Sequence, residues 1–190
     1  IKGAEIINPG NLEKIVFREV SIDSRKCSKS DLFFAIKGEK FDGHDFVIDV
    51  LKRGSKCAVV QKSWYKKNKK QLAAFKNKSF VVVKDTVEAI GKLANIYRSH
   101  FVIPVIAVAG SNGKTSTKDF IAHVLSKKYR VLKTEGNLNN QLGVPLTIFR
   151  LTKKHEIAVI EVGTNHFGEV KYLCEILEPQ FGVITNIGKE

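Results

Sequence analysis

The sequence contains no methionine, one tryptophan, four prolines and three cysteines in 190 residues. Cys27, Cys57 and Cys174 are odd in number, far apart and in no metal-ligand spacing. That argues against a disulfide framework or a thiolate metal site and leaves reduced thiols as the expectation. No apolar run approaches the roughly 20 residues that span a bilayer. The opening Ile1-Lys2-Gly3-Ala4-Glu5 lacks the apolar stretch of a secretory signal, so a cytoplasmic protein without a membrane span is expected. Repeats and low-complexity linkers are missing too. With no initiator Met, and Gly188-Lys189-Glu190 directly after an apolar run, the sequence reads as a piece of a longer protein.

Carboxylates are also scarce: 19 Asp and Glu against 32 Lys and Arg, a net charge of +13. Such an excess suits a nucleic-acid partner. The distribution of the lysines argues otherwise. Many lie in one polar stretch, Lys62 to Lys78, interrupted by Trp64, Tyr65, Leu72, Ala73, Ala74 and Phe75. Leu72, Ala73 and Phe75 are expected to form the buried stripe of a helix whose other face is solvated lysine. No helix-turn-helix, RRM or KH signature is present, so no nucleic-acid partner is expected. The positive field still favours an anionic nucleotide.

What the chain does have is 43% apolar residues in short runs alternating with helical patterns. Expected strands are Leu32 to Ile36, Cys57 to Val60, Phe80 to Val83, Val105 to Ala109, Ile157 to Glu161 and Phe181 to Thr185. Most are near-continuous apolar runs, as strands covered on both faces should be. Expected helices are Phe46 to Arg53 with a stop at Gly54, Thr86 to His100 with a cap at Asp85-Thr86, Lys114 to Lys127, and Glu169 to Leu177. Strands alternating with helices imply an α/β protein with parallel sheets. The end of the long helix near Phe101 to Pro104 suggests two domains, residues 1–102 and 103–190.

Three constellations carry chemistry. Val105 to Thr117 reads strand, glycine turn, helix start. Gly110 and Gly113 let the N–H groups of the Gly110-Ser111-Asn112-Gly113-Lys114-Thr115-Ser116 turn face phosphate oxygens. The helix that follows points its positive end at the same anion. Lys114 adds a mobile charge, and the Thr115 hydroxyl is placed to ligate Mg²⁺. The motif is shorter than G-x-x-x-x-G-K-[ST], whose first glycine would fall at Val108. Next, Glu161 ends an apolar strand beside Gly163, where the crevice of a parallel sheet opens and an acid can hold Mg²⁺. Last, Thr134 to Pro145 is an amide-rich loop between a short strand and a helix. Its asparagines suit sugar hydroxyls and phosphates, or equally a turn with asparagine in αL positions.

At these residues the chain resembles the Mur ligases of peptidoglycan synthesis, over nearly its whole length. Asp23-Ser24-Arg25-Lys26 and the stretch Asp31 to Phe46 are similar to that family's uridine-nucleotide domain. Gly110 to Thr115, Gly136-Asn137-Leu138-Asn139-Asn140 and Glu161 to Glu169 follow in family order. The Gly136 to Asn140 stretch is similar to that of members adding D-Ala-D-Ala to UDP-N-acetylmuramoyl-tripeptide. Val162, Thr164 and Phe167 stand where Met, Ala and Pro are expected; none removes a polar group.

The resemblance implies a small N-terminal α/β uridine-nucleotide domain followed by a truncated P-loop ATPase-like domain, within a three-domain enzyme. It implies ATP and Mg²⁺ as cofactors, UDP-N-acetylmuramoyl-tripeptide and D-Ala-D-Ala as substrates, and a monomer inactive in this truncated form. Catalysis would fall to Lys114 and Glu161, and Mg²⁺ to Thr115 and Glu161. Thr134, Asn137, Asn139 and Asn140 would hold the muramoyl or diphosphate part. His166 would touch phosphate or cap the following helix. Ser24, Arg25, Gly38, Asp42, Gly43 and His44 would contact the uridine nucleotide. The alternatives are a Mur ligase adding another amino acid, a UDP-sugar-binding module without catalysis, and a basic nucleic-acid-binding NTPase. Glu161 beside the loop argues against the module, which needs no Mg²⁺ ligand.

Overall fold

A computed structural model describes residues 3–12 and 15–188, for Asn11 the backbone alone. The chain divides into two compact units, Ile1–Ala89 and Ile90–Glu190.

In the first unit the elements are β1 (Glu5–Ile7), β2 (Val20–Ser21), β3 (Leu32–Phe34), α1 (Val47–Lys52), β4 (Cys57–Gln61), α2 (Lys62–Leu72) and β5 (Ser79–Val83). The strands form one sheet in the order β1-β5-β4-β3-β2. All neighbours are parallel except β1, which runs antiparallel to β5 with Ile6 opposite Val81. The parallel sheet expected from the alternation of strands and helices is present, with one antiparallel strand added at this edge. An antiparallel edge strand needs no crossover helix and is common on parallel sheets. One face of the sheet presents Phe33, Ala35, Ala58, Val60, Phe80 and Val82 to Val47, Val50 and Leu51 of α1 and Leu72 of α2. Each large apolar side chain buried there contributes about 1.5–3 kcal/mol. Gly54 follows α1 at φ +111°, the stop anticipated there. The lysine-rich stretch does form a helix, and of the expected stripe Leu72 and Phe75 reach the core while Ala73 does not. The helix ends at Leu72, Ala73 is exposed, and Trp64, Tyr65 and Phe75 pack with Leu72 on the core.

Helix α3 (Thr86–Ser99) is capped by Asp85, whose carboxylate accepts from the N–H groups of Val87 and Glu88. Beyond it come β6 (Val105–Ala109), α4 (Lys114–Leu125), β7 (Val131–Lys133), α5 (Gly143–Ile148), β8 (Ile157–Glu161), α6 (Glu169–Leu177) and β9 (Phe181–Ile184). These four strands make an all-parallel sheet in the order β7-β8-β6-β9. The period-two alternation of side chains divides them between two cores. Val105, Ala107, Ala158 and Ile160 join Leu173, Ile176 and Leu177 of α6. Val108 and Val159 join Ala122, Ile121 and Leu125 of α4. Both faces are thus covered, as the continuous apolar runs require. The Arg98 guanidinium donates to the carbonyls of Leu177, Phe101 and Ile103, fixing the segment that feeds β6.

This strand order positions the site. The connection leaving β6 runs past β8 to β7, whereas the one leaving β8 runs the opposite way, past β6 to β9. A crevice opens between the carboxyl ends of two adjacent strands whose connections diverge. The Gly110 loop lies at one lip, and Glu161, opposite Val108, at the other.

Candidate functional site

The loop between β6 and α4 takes its shape from two glycines in the left-handed region, Gly110 at φ +132° and Gly113 at φ +77°. A Cβ on Gly110 would lie 2.1 Å from Thr185 Oγ1 and 3.0 Å from Asn186 O, so only glycine fits. Gly113 is the N-cap of α4. The first N–H groups of that helix have no intrahelical acceptor and carry the positive end of its dipole, the arrangement that receives phosphate. Lys114 folds over the same turn, its Nζ donating to the carbonyls of Gly110 and Ser111 and lying 3.5 Å from Thr164 Oγ1. Ser116 is exposed on the first turn. The N–H groups of Ser111 and Asn112 donate to Asn186, to its carbonyl at 3.1 Å and its Oδ1 at 2.9 Å. Asn186 was not among the expected site residues. It lies 74 positions from Asn112, and only the pairing of β9 with β6 brings it to the loop.

Glu161 is where loop and strand end meet. It is 2% exposed. Thr115 Oγ1 donates to its Oε2 at 2.9 Å, and the Asn139 amide donates to its Oε1 at 2.7 Å. Burying a carboxylate is costly unless it is well partnered. Glu161 has neutral donors only and, among the described residues, no ion pair. A buried anionic oxygen beside a hydroxyl at the mouth of a phosphate loop is a hard-oxygen donor set that fits Mg²⁺. No cluster of three or more His, Cys, Asp and Glu suited to a metal occurs among the described residues.

The amide-rich loop divides into two roles. Asn139 holds the carboxylate through its side chain and the Gly163 N–H through its carbonyl, at 2.7 Å. Asn140 Oδ1 accepts from the N–H groups of Leu142 and Gly143, capping the turn into α5. Asn137 is exposed, and its carbonyl accepts from Asn139 N–H. Thr134 departs from expectation. It is fully buried, and its hydroxyl accepts from the Glu161 N–H at 2.9 Å. It therefore positions Glu161 and presents nothing to a ligand. The His166 ring is exposed beside Asn140, Asn165 and Tyr172 around a hollow of about 370 Å³, while its carbonyl accepts from Glu169 N–H at the start of α6.

The first unit holds its own pocket of about 430 Å³, lined by Ile22, Asp23, Ser24, Arg25, Phe33, Ile36, Phe41, Gly43 and Phe46. Of the residues expected there, Ser24, Arg25 and Gly43 line it. Arg25 grips Asp23 with Nε and Nη2, each at 2.9 Å. That side-chain hydrogen bond, with one from the Arg25 N–H, lowers the Asp23 pKa from 3.8 to about 2. Gly43 approaches the main chain closely, since a Cβ would lie 2.7 Å from Ile36 N. Gly38 closes the preceding turn by donating to Phe41 O at 2.9 Å.

His44 corrects the expectation of ligand contact. It is buried, and both ring nitrogens are used inside the protein. Nε2 accepts from the Gln61 N–H at 3.0 Å, so the proton sits on Nδ1 and is donated to Asp42 Oδ1 at 2.6 Å. Asp42 also caps the following turn through the His44 N–H. Burial pushes its pKa up, but the two hydrogen bonds from His44 outweigh this and the net shift is downward. Lining residues that were not among the expected contacts are Ile22, Asp23, Phe33, Ile36, Phe41 and Phe46. Phe41 is 75% exposed, and an aromatic amid Lys40 and Asp42 was the available signal.

Two family models match the chain: "Mur ligase family, catalytic domain" over residues 16–98 and "Mur ligase middle domain" over residues 108–190. The UDP-N-acetylmuramoyl-tripeptide--D-alanyl-D-alanine ligase of Bacillus subtilis is 40% identical over 189 residues, covering 100% of this chain and 39% of the relative. A crystal structure of MurF from Acinetobacter baumannii aligns with TM-score 0.79 and 38% identity, over 90% of this chain and 36% of that one. MurF ligase from Thermotoga maritima in complex with ADP aligns with TM-score 0.76 and 32% identity, over 90% and 38%. The chain thus spans under two-fifths of the length of these relatives. With both matched segments in family order over an α/β fold shared with those structures, this chain belongs to the Mur ligase family.

Proposed function

We propose that the chain provides the uridine-nucleotide and ATP-binding parts of a cytoplasmic enzyme that joins D-Ala-D-Ala to UDP-N-acetylmuramoyl-tripeptide in peptidoglycan precursor synthesis. Residues 1–102 form the uridine-nucleotide domain and residues 103–190 the first part of the ATP domain. The observation that carries the reading is the 2.9 Å contact of Thr115 with Glu161, which joins the phosphate loop to a buried carboxylate. Identity of 40% with a ligase of that name supports the choice of substrates.

The terminal carboxylate of the tripeptide attacks the γ-phosphorus of ATP, ADP leaves, and an acyl phosphate forms. The amine of D-Ala-D-Ala then attacks the acyl carbon, phosphate leaves with the C–O electron pair, and the amine loses a proton as the amide forms. Two anions meet in the first step, so the protein's task is to neutralise charge and align the reactants. Lys114, freed from the Gly110 and Ser111 carbonyls, places its ammonium on the transferring phosphoryl group. The N–H groups at the start of α4 bind the neighbouring phosphate oxygens. Thr115 and Glu161 would hold Mg²⁺, which would supply positive charge to the phosphate oxygens. Asn139 keeps the carboxylate in place. Asn137 and His166 face the muramoyl or diphosphate part, and the pocket of Ser24, Arg25 and Gly43 takes the uridine between Phe41 and Phe46.

The test is Lys114→Ala in the full-length protein. Loss of one such charge from a phosphoryl-transfer site is expected to cost about 10²–10³-fold in ADP release dependent on the UDP-tripeptide, with the thermal midpoint unchanged. Near-normal turnover in that variant refutes the mechanism.

A further inference from the structure

The helix that carries Lys114 and Thr115 also carries a buried lysine with no part in the reaction described above. Lys118 lies on α4, one turn after Lys114 on the same face, and is 2% exposed. Core positions of that helix, such as Ala122, are apolar, and an ammonium in their company is costly unless it is engaged. Its Nζ donates to the Thr134 carbonyl at 3.0 Å and lies 3.4 Å from Asp119 Oδ1.

Thr134 is thereby held at three points. Its N–H continues the β7–β8 ladder to Val159 O, its carbonyl goes to Lys118, and its hydroxyl accepts from Glu161 N–H. The Glu161 carboxylate in turn accepts from Thr115, three residues before Lys118 on the same helix. The contacts form a closed ring: Lys118 to Thr134, Thr134 to Glu161, Glu161 to Thr115, and back along one turn of α4. Strand β7 has ended at Lys133, so Lys118 supplies the partner that the Thr134 carbonyl no longer finds in the ladder.

From this ring we infer that Lys118 is a positioning residue for the Thr115–Glu161 pair, fixing the strand end that carries Glu161 relative to the helix that carries Thr115. The inference rests on the reading of that pair as the Mg²⁺ ligands. It assigns Lys118 no contact with nucleotide or metal. Outer-shell partners of this kind govern how well a metal is held, and removing one costs about 10–100-fold in metal affinity.

The experiment measures ADP binding to the full-length protein by calorimetry, in Mg²⁺ and in EDTA. In the wild type, Mg²⁺ tightens ADP binding. In Lys118→Met that gain falls about tenfold while affinity in EDTA is retained. Thr134→Val is expected to lose a similar amount, and Thr134→Ser, which keeps the hydroxyl, to retain the gain. The double variant K118M/T134V loses no more than the worse single one, because both act through one ring. If Lys118→Met fails to fold, Lys118→Gln, which keeps a donor without the charge, replaces it and shows a smaller loss in the same direction. A wild-type Mg²⁺ gain in the folded Lys118 variant overturns the inference, as do independent, multiplying losses in the double variant. A wild type in which Mg²⁺ does not affect ADP binding refutes the reading of the pair itself.

Discussion

The two candidate sites are built in opposite ways. The site at the β6–α4 loop is mostly main chain: a contiguous turn, two glycines with positive φ and the head of a helix, with few side chains added. The pocket of the first unit is mostly side chain. Its walls come from Ile22 to Arg25 and from Phe33, Ile36, Phe41, Gly43 and Phe46, and its charged members are fixed by one another, Arg25 holding Asp23. A main-chain site is hard to alter except at its glycines. A side-chain site tolerates change at its rim and fails where the main chain is crowded.

That contrast breaks first at the glycines. Gly110→Ala places a Cβ against Thr185 Oγ1 and Asn186 O and forces an L-residue to φ +132°. Strain of this kind is about 1–3 kcal/mol, so ADP affinity should fall about a hundredfold, with uridine-nucleotide binding unchanged in the same calorimetric series. If ADP binds G110A normally, the loop is not a main-chain site. Gly43→Ala should do the converse and less. Its Cβ would meet Ile36 N at 2.7 Å and Ile36 O at 2.8 Å, an overpacking of about 1–2 kcal/mol, read as a lower urea midpoint. Uridine-nucleotide affinity falls with it while ADP affinity holds. A G43A variant that weakens ADP instead would show that the two sites do not divide as described.

The same contrast explains what was legible in the sequence. The loop could be read because its determinants are consecutive, and β3, β4, β6 and β8 because both faces of each are apolar. Strands β1 and β2 could not: three and two residues, with Glu5 and Ile6 exposed, carry no period. The antiparallel entry of β1 is likewise set by its pairing with β5. Ala73, the C-cap of α2, is exposed while Leu72 and Phe75 on either side of it pack on the core, a division that the apolar run does not reveal. For His44 and Thr134 the family resemblance implies ligand contact. Each is instead buried against a partner far along the chain, Gln61 at 17 residues and Glu161 at 27. Asn186 had no local signal at all. What eluded the sequence is the long-range hydrogen bond, since donor and acceptor types are common and only the fold decides which of them meet.

The smallest expected effect tests whether the rim of the side-chain pocket is held by charge. Arg25 is largely exposed, and its hydrogen bond is the leading cause of the low Asp23 pKa. Because the carboxyl is depressed from 3.8 to about 2, the pair's contribution is fully present above about 3.8 and is lost as pH falls toward 2. Between mildly acidic and neutral pH this pair therefore leaves uridine-nucleotide binding flat. An NMR titration of the Asp23 carboxyl should give a midpoint near 2, and Arg25→Ala should move it up toward 3.8. The folded state itself should change little, because water screens an exposed ion pair. A midpoint that stays near 2 in R25A would mean that main-chain groups, and not the guanidinium, hold Asp23. The pocket would then resemble the loop more closely than its residue list suggests.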